Sequence, residues 1–136
     1  MKRKDLQTLA ETRLLEAQVL FQNRKFDGAY YLAGYAIECA IKACVARKTQ
    51  RFDFPDKGLA TQVYTHDLTE LLKPAGLAQI LKEEFRTDPA LEVKWVVVKD
   101  WSEQSRYGAH NRQKAKDMID AVGDPQGVLA CIKKYW

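Results

Sequence analysis

Between Ala29 and Ala46 the chain carries only two charged residues, Glu38 and Lys42. At about 100° per residue, the stretch from Gly28 to Arg47 reads as a helix with almost no face suited to water, so it must be surrounded by protein or lipid. Ala29, Ala33, Ala36, Ala40 and Ala43 recur at steps of four, three, four and three, a stripe along which another helix can approach closely. Tyr30, Ile37, Ile41 and Cys44 form a bulkier row beside it, and Tyr31, Tyr35, Glu38 and Lys42 share a third. The segment is only about as long as the shortest membrane-spanning helices and is charged near its middle, which argues against a membrane crossing. The reading is a central helix buried by its own protein.

The flanking sequence is helical and interrupted by loops. Leu6, Leu9, Arg13, Leu14, Ala17 and Leu20 follow helical spacing, so residues from about Asp5 to Gln22 predict a first amphipathic helix. Asp27 is the expected N-cap of the central helix, Gly28 the expected turn residue, and the short link sets the two helices antiparallel. Lys48 to Gly58 is polar, aperiodic and reads as a loop. Thr65 is the expected cap of a short helix over His66–Leu72, and a further one runs from Leu77 to Glu84 or Phe85. Asp88-Pro89 is a helix start, Asp as cap and Pro in the first turn. The alternation of Val93, Trp95 and Val97 suits a strand, but there is no second strand to pair with it, and Leu91, Trp95, Val98 and Trp101 fit a helical face. That helix is expected to continue or close over Ser102–Tyr107 and to break at Gly108. Helices over Asn111–Val122 and Gln126–Trp136, separated by Gly123-Asp124-Pro125, complete an all-α chain.

With 136 residues and 46% hydrophobic content, the chain has the size of one domain over residues 1–136 and enough apolar material for a core. A net charge of +4 hints weakly at an anionic partner and equally suits ordinary solubility. Cys39, Cys44 and Cys131 are an odd number, and Cys39 and Cys44 project some 140° apart around a helix, so free buried thiols in a reducing cytosol are expected and a metal site is not. The location expected is cytoplasmic. No Gly-rich phosphate loop, serine nucleophile elbow or usable carboxylate pair appears, and no cofactor is expected.

Two places carry candidate chemistry. Glu38 and Lys42 lie one turn apart on an apolar helix and are costly to bury without partners. They read either as a structural pair or as a site in which Glu38 faces Arg106 and orients it towards a phosphate-bearing ligand. Arg106-Tyr107-Gly108-Ala109-His110 is the second: a helix persisting through Gly108 would put Arg106 and His110 one turn apart. A histidine base and an arginine at the phosphorane are the least equipment for metal-independent RNA cleavage, whereas an exposed histidine in a turn beside a structural arginine is the plainer reading. His66, at a helix start, reads as structural more readily than catalytic.

Taken together, Leu32-Ala33-Gly34-Tyr35-Ala36-Ile37-Glu38-Cys39-Ala40-Ile41-Lys42-Ala43, then His66-Asp67-Leu68, then Trp95 through Trp101-Ser102-Glu103-Gln104-Ser105-Arg106-Tyr107 resemble the HEPN family, named for nucleotide binding in higher eukaryotes and prokaryotes. The resemblance implies an up-and-down bundle of about four or five helices, commonly a homodimer with a cleft between protomers. It also implies either a partner role beside a minimal nucleotidyltransferase or an RNase of toxin–antitoxin and defence systems. Nuclease members have four to six residues between the arginine and the histidine, and here only Tyr107, Gly108 and Ala109 stand between Arg106 and His110. The leading expectation is a dimeric, non-catalytic or weakly catalytic nucleotide- or RNA-binding module using Glu38, Lys42, Arg106 and Tyr107 and working with a separate protein, a minimal nucleotidyltransferase, in a two-component, toxin–antitoxin-like system. The alternatives are a metal-independent RNase toxin using Arg106 and His110, and a purely structural dimeric subunit.

Overall fold

The structure, a computed structural model, describes residues 2–49 and 64–136. In chain order it contains α1 (Arg3–Gln22), α2 (Phe26–Lys48), α3 (Leu68–Leu71), α4 (Ala78–Thr87), α5 (Pro89–Lys99), a 3-10 turn (Glu103–Tyr107), α6 (Arg112–Gly123) and α7 (Val128–Lys133). No strand occurs among the described residues, and the valine-rich segment is the helix α5, burying Leu91, Trp95 and Val98 while Val93 and Val96 face outward. The Lys48–Gly58 loop expected from the sequence lies outside the described residues except for Lys48, which ends α2, and Thr49.

The central helix holds the place its composition demands. Its five stripe alanines are fully buried, and α1 presents the small residues Ala10 and Ala17, also fully buried, where a larger side chain would hold two helices apart. α1 makes the most extensive packing with α2, while α3, the 3-10 turn, α6 and α7 also pack against it. Burying Ile37 and Ile41 completely contributes on the order of 2 kcal/mol each.

The α1–α2 link differs from the sequence expectation. Arg24, with φ of 61°, takes the left-handed conformation, and the Lys25 N–H returns to the Leu20 carbonyl at 2.8 Å. Phe26 packs on Phe21 with ring centroids 5.4 Å apart, so α2 begins at Phe26 with Lys25 as its N-cap. Asp27 and Gly28 therefore sit in the first helical turn, and Asp27 does not cap α2. Likewise Asp67, not Thr65, caps α3, its carboxylate accepting the Glu70 N–H at 3.0 Å. Thr65 instead donates to the Glu70 carboxylate and accepts the Asp67 N–H. Asp88 caps α5 as expected, accepting the Leu91 N–H, and Asn111 caps α6 through the Lys114 N–H.

Candidate functional site

From Tyr30 to Val45, α2 is buried except at Tyr31, Leu32, Tyr35 and Lys42. Beneath this open strip lies Glu38, 2% exposed and the one buried charged residue among those described. Its Oε2 accepts from Lys42 Nζ at 3.3 Å, and its Oε1 lies 2.8 Å from His66 Nδ1, which must donate because a carboxylate only accepts. His66 precedes the Asp67 cap and is delivered by the chain entering α3. Its Nε2 lies 3.5 Å from Glu103 Oε2, and Glu103 Oε1 accepts from Arg106 Nη2 at 3.3 Å. Lys42, Glu38, His66, Glu103 and Arg106 thus lie in succession across α2, the lead into α3 and the 3-10 turn, the His66–Glu103 approach being an ion pair when both ring nitrogens carry protons.

This corrects the expected contact: Glu38 faces His66, and Arg106 is reached only through His66 and Glu103. The signal for His66 was a buried carboxylate with two oxygens and one partner on its own helix, which requires a second donor from elsewhere.

The 3-10 turn is positioned from Trp101. Its buried indole lies directly on Gly34, where an added Cβ would come within 2.1 Å of Cδ1, and its N–H donates to the Tyr31 carbonyl at 3.0 Å. Ser102 is extended and ends the helical path of α5, so residues 103–107 form a separate turn closed by the Ser102 N–H to Ser105 Oγ bond. The expected continuation of α5 does not occur. The Tyr31 ring packs 5.6 Å from Trp101 and stacks on Tyr35 at 6.0 Å, with planes 13° apart. Burial pushes the Tyr31 hydroxyl upward, with Arg106 opposing and Glu38, Glu103 and Tyr107 adding, so these groups meet around one ring. Burial, with Cys39 and Glu38 adding, raises the Tyr35 hydroxyl to about 12.

Arg106 and Tyr107 are open to solvent, the Arg106 side chain 45% and Tyr107 74% exposed, with the guanidinium 4.9 Å above the Tyr107 ring. Tyr107 is also the chief cause holding the Arg106 guanidinium more firmly protonated. His110 makes other contacts. Gly108 is extended and breaks the helical path, and the His110 ring stacks on Tyr30 at 4.0 Å. Its Nε2 donates to the Ser105 carbonyl at 2.9 Å, and its backbone N–H donates to Asp27 Oδ1 at 2.6 Å. No hydrogen bond or ion pair among the described residues joins Arg106 to His110.

Beyond Tyr35 the strip opens into a groove of about 450 Å³ between α1 and α2, lined by Leu6, Leu9, Tyr35, Glu38, Lys42 and Tyr64 among others. Cys39 also borders it, its thiol pushed to about 11 chiefly by burial. All three cysteines are free, and no cluster of His, Cys, Asp and Glu among the described residues is arranged to hold a metal ion. No described helix is long and apolar enough to cross a membrane. The arrangement offers an exposed guanidinium, flat aromatic surfaces and a tethered lysine, which is binding equipment for a planar, anionic ligand.

Comparison with known proteins adds one finding: the family model described as HEPN domain matches residues 4–135. Searches of the curated proteins and of the solved structures return no match.

Proposed function

The chain belongs to the HEPN domain family, and on that premise we propose that it is a dimeric module binding a nucleotide or RNA at Arg106, Tyr107, Lys42 and Glu38. In this reading it is the non-catalytic partner of a minimal nucleotidyltransferase in a two-component, toxin–antitoxin-like system. The observation that carries the binding role is Arg106. Its side chain is 45% exposed, lies over an exposed tyrosine ring, and bonds Glu103 at 3.3 Å, which leaves donors of its planar fork for a ligand. Such a fork pairs with a phosphate, and the adjoining ring supports a base by stacking. The series from Glu38 through His66 and Glu103 fixes where the fork stands.

Cleavage of RNA by Arg106 and His110 is the weaker reading. His110 is held between Tyr30 and the Ser105 carbonyl, where it braces the 3-10 turn against α2.

Calorimetric titration with nucleotides and short RNAs at low and moderate salt tests the proposal. Saturable binding that weakens with salt is expected, reduced about tenfold in Arg106→Ala and in Tyr107→Ala. Absence of saturable binding by the folded wild type refutes it and leaves the structural-subunit reading. Sedimentation, and co-purification with a minimal nucleotidyltransferase, test the assembly.

A further inference from the structure

We infer that His66 links the Arg106 site to protons: its imidazole takes up a proton when an anionic ligand engages Arg106, so the ligand binds more tightly as pH falls through the ordinary histidine range. This rests on the binding reading above and adds its regulation, through two residues, His66 and Glu103, that the ligand does not need to touch.

The geometry is that of one imidazole between two carboxylates. His66 Nδ1 lies 2.8 Å from Glu38 Oε1, and Nε2 lies 3.5 Å from Glu103 Oε2. A carboxylate only accepts and a neutral imidazole has one N–H, so with Nδ1 donating to Glu38 the bare Nε2 stands beside a second acceptor. That approach becomes favourable once Nε2 also carries a proton. The His66 side chain is 42% exposed, so solvent protons reach it. The other charges that meet it are engaged. Glu38 Oε2 accepts from Lys42 on α2, Asp67 caps the Glu70 N–H and Glu70 accepts from Thr65 on its own segment, and Glu103 Oε1 accepts from Arg106 on the 3-10 turn.

Glu103 is the shared element. While His66 is neutral, Arg106 is the one cation paired with Glu103 among the described residues, and a phosphate that draws the guanidinium away leaves that carboxylate without a partner. A proton on His66 Nε2 places a replacement cation 3.5 Å from Glu103, which releases Arg106 to the ligand at smaller cost. The coupling is reciprocal: the factor by which protonation strengthens ligand binding is the factor by which bound ligand strengthens proton binding. Affinity is therefore gained as pH falls and lost as it rises through the histidine range. His110, the second histidine of the chain, has no such contact. Its Nε2 donates to the Ser105 carbonyl, and its buried Nδ1 has no partner, so a second proton there finds no acceptor.

The test is calorimetric titration of the full chain with the dinucleotide ApA, whose single phosphodiester keeps its charge throughout, from about pH 5.5 to about pH 8 in two buffers of different ionisation enthalpy. Affinity is expected to rise about tenfold towards the acid end, with proton uptake on binding read from the buffer dependence of the enthalpy. His66→Gln and Glu103→Gln are each expected to flatten the profile and abolish the uptake, whereas His110→Gln keeps both. By NMR, the wild-type His66 signal is expected to titrate at higher pH with ApA than without, and the His110 signal to keep its midpoint. Saturable binding without proton uptake, or uptake that survives His66→Gln, overturns the inference and leaves the binding reading standing. Absence of saturable ApA binding at every pH overturns the binding reading itself, which separates the two failures. Thermal melts by circular dichroism establish that each variant is folded, and the wild-type NMR titration decides the matter where a variant is not.

Discussion

Replacing Gly34 by alanine should destabilise the protein, although in most helix interiors the same change gains about 1 kcal/mol. The reason is the Trp101 indole, which occupies the space of the missing Cβ: Cδ1, Cγ and Nε1 would lie 2.1, 2.3 and 2.5 Å from it. All three atoms belong to a rigid ring, so the indole must leave. Overpacking of this kind costs about 1–3 kcal/mol, partial exposure of the ring roughly 2 more, and loss of the indole bond to the Tyr31 carbonyl about 1. Set against the propensity gain, the net loss is about 4 kcal/mol, which lowers the melting temperature by roughly 14 °C in a chain of this size. The assay is a urea and thermal unfolding series with the summed emission of Trp95, Trp101 and Trp136 followed in parallel, where a red shift relative to the parent reports the displaced ring. The decisive comparison is a double-mutant cycle: with Trp101→Ala already in place, Gly34→Ala should become neutral or stabilising. A Gly34→Ala protein as stable as the parent, with unshifted emission, refutes the reasoning. Because Trp101 leads directly into the turn bearing Glu103 and Arg106, the variant should also lose ligand affinity.

Three further outcomes are expected. A double-mutant cycle between Glu38 and His66 should show coupling of about 1 kcal/mol, larger than that between Glu38 and Arg106, which meet only through His66 and Glu103. Glu84 Oε1 accepts from Lys134 Nζ at 2.8 Å and Tyr135 Oη at 2.5 Å, and these bonds, Lys134 first, hold its carboxyl below the usual range. A lowered folded-state value stabilises above the unfolded value of about 4.3 and loses that contribution as pH falls through the folded value. Glu84→Gln should therefore melt lower than the parent at neutral pH, and the difference should vanish in strong acid, as melting curves across pH will show. Finally, burial raises the Cys39, Cys44 and Cys131 thiols to about 11 each, so iodoacetamide at pH 8 should leave the native protein unmodified and alkylate all three once urea unfolds it. Mass spectrometry showing alkylation of the native protein would contradict that.

What could be read from the sequence was what one helix decides for itself. The alanine stripe, the nearly charge-free stretch of α2 from Ala29 to Ala46, and the Asp88-Pro89 start are local patterns, and each has its expected place in the structure. The misplaced helix starts share one cause: capping rules favoured Asp27 and Thr65, but the Phe21–Phe26 contact moved the first boundary and Asp67 reached the Glu70 N–H at the second. The site was half legible. Periodicity identified Glu38 and Lys42 as an anomaly, yet it cannot say which residue arrives from another segment. His66 comes from 28 positions away, through a stretch without helical period. Arg106 and His110 were linked by assuming a helix across Gly108, and the extended backbone there removes the geometry on which that pairing depended.

The placement of Glu38 bears on why a charge is kept in so apolar a helix. A carboxylate taken out of water costs several kcal/mol unless both oxygens are bonded, and a well-packed apolar side chain would often serve stability as well. If stability were its whole role, its partners would be expected to be buried with it. They are not: the Lys42 side chain is 23% exposed and that of His66 is 42% exposed. Glu38 thus anchors from below two donors that reach the surface, one beside the groove and one, through Glu103, behind Arg106. Removing the carboxylate would free both ends at once, so Glu38→Gln should weaken contacts at Arg106 and at Lys42 together, where Arg106→Ala or Lys42→Gln touches only its own end.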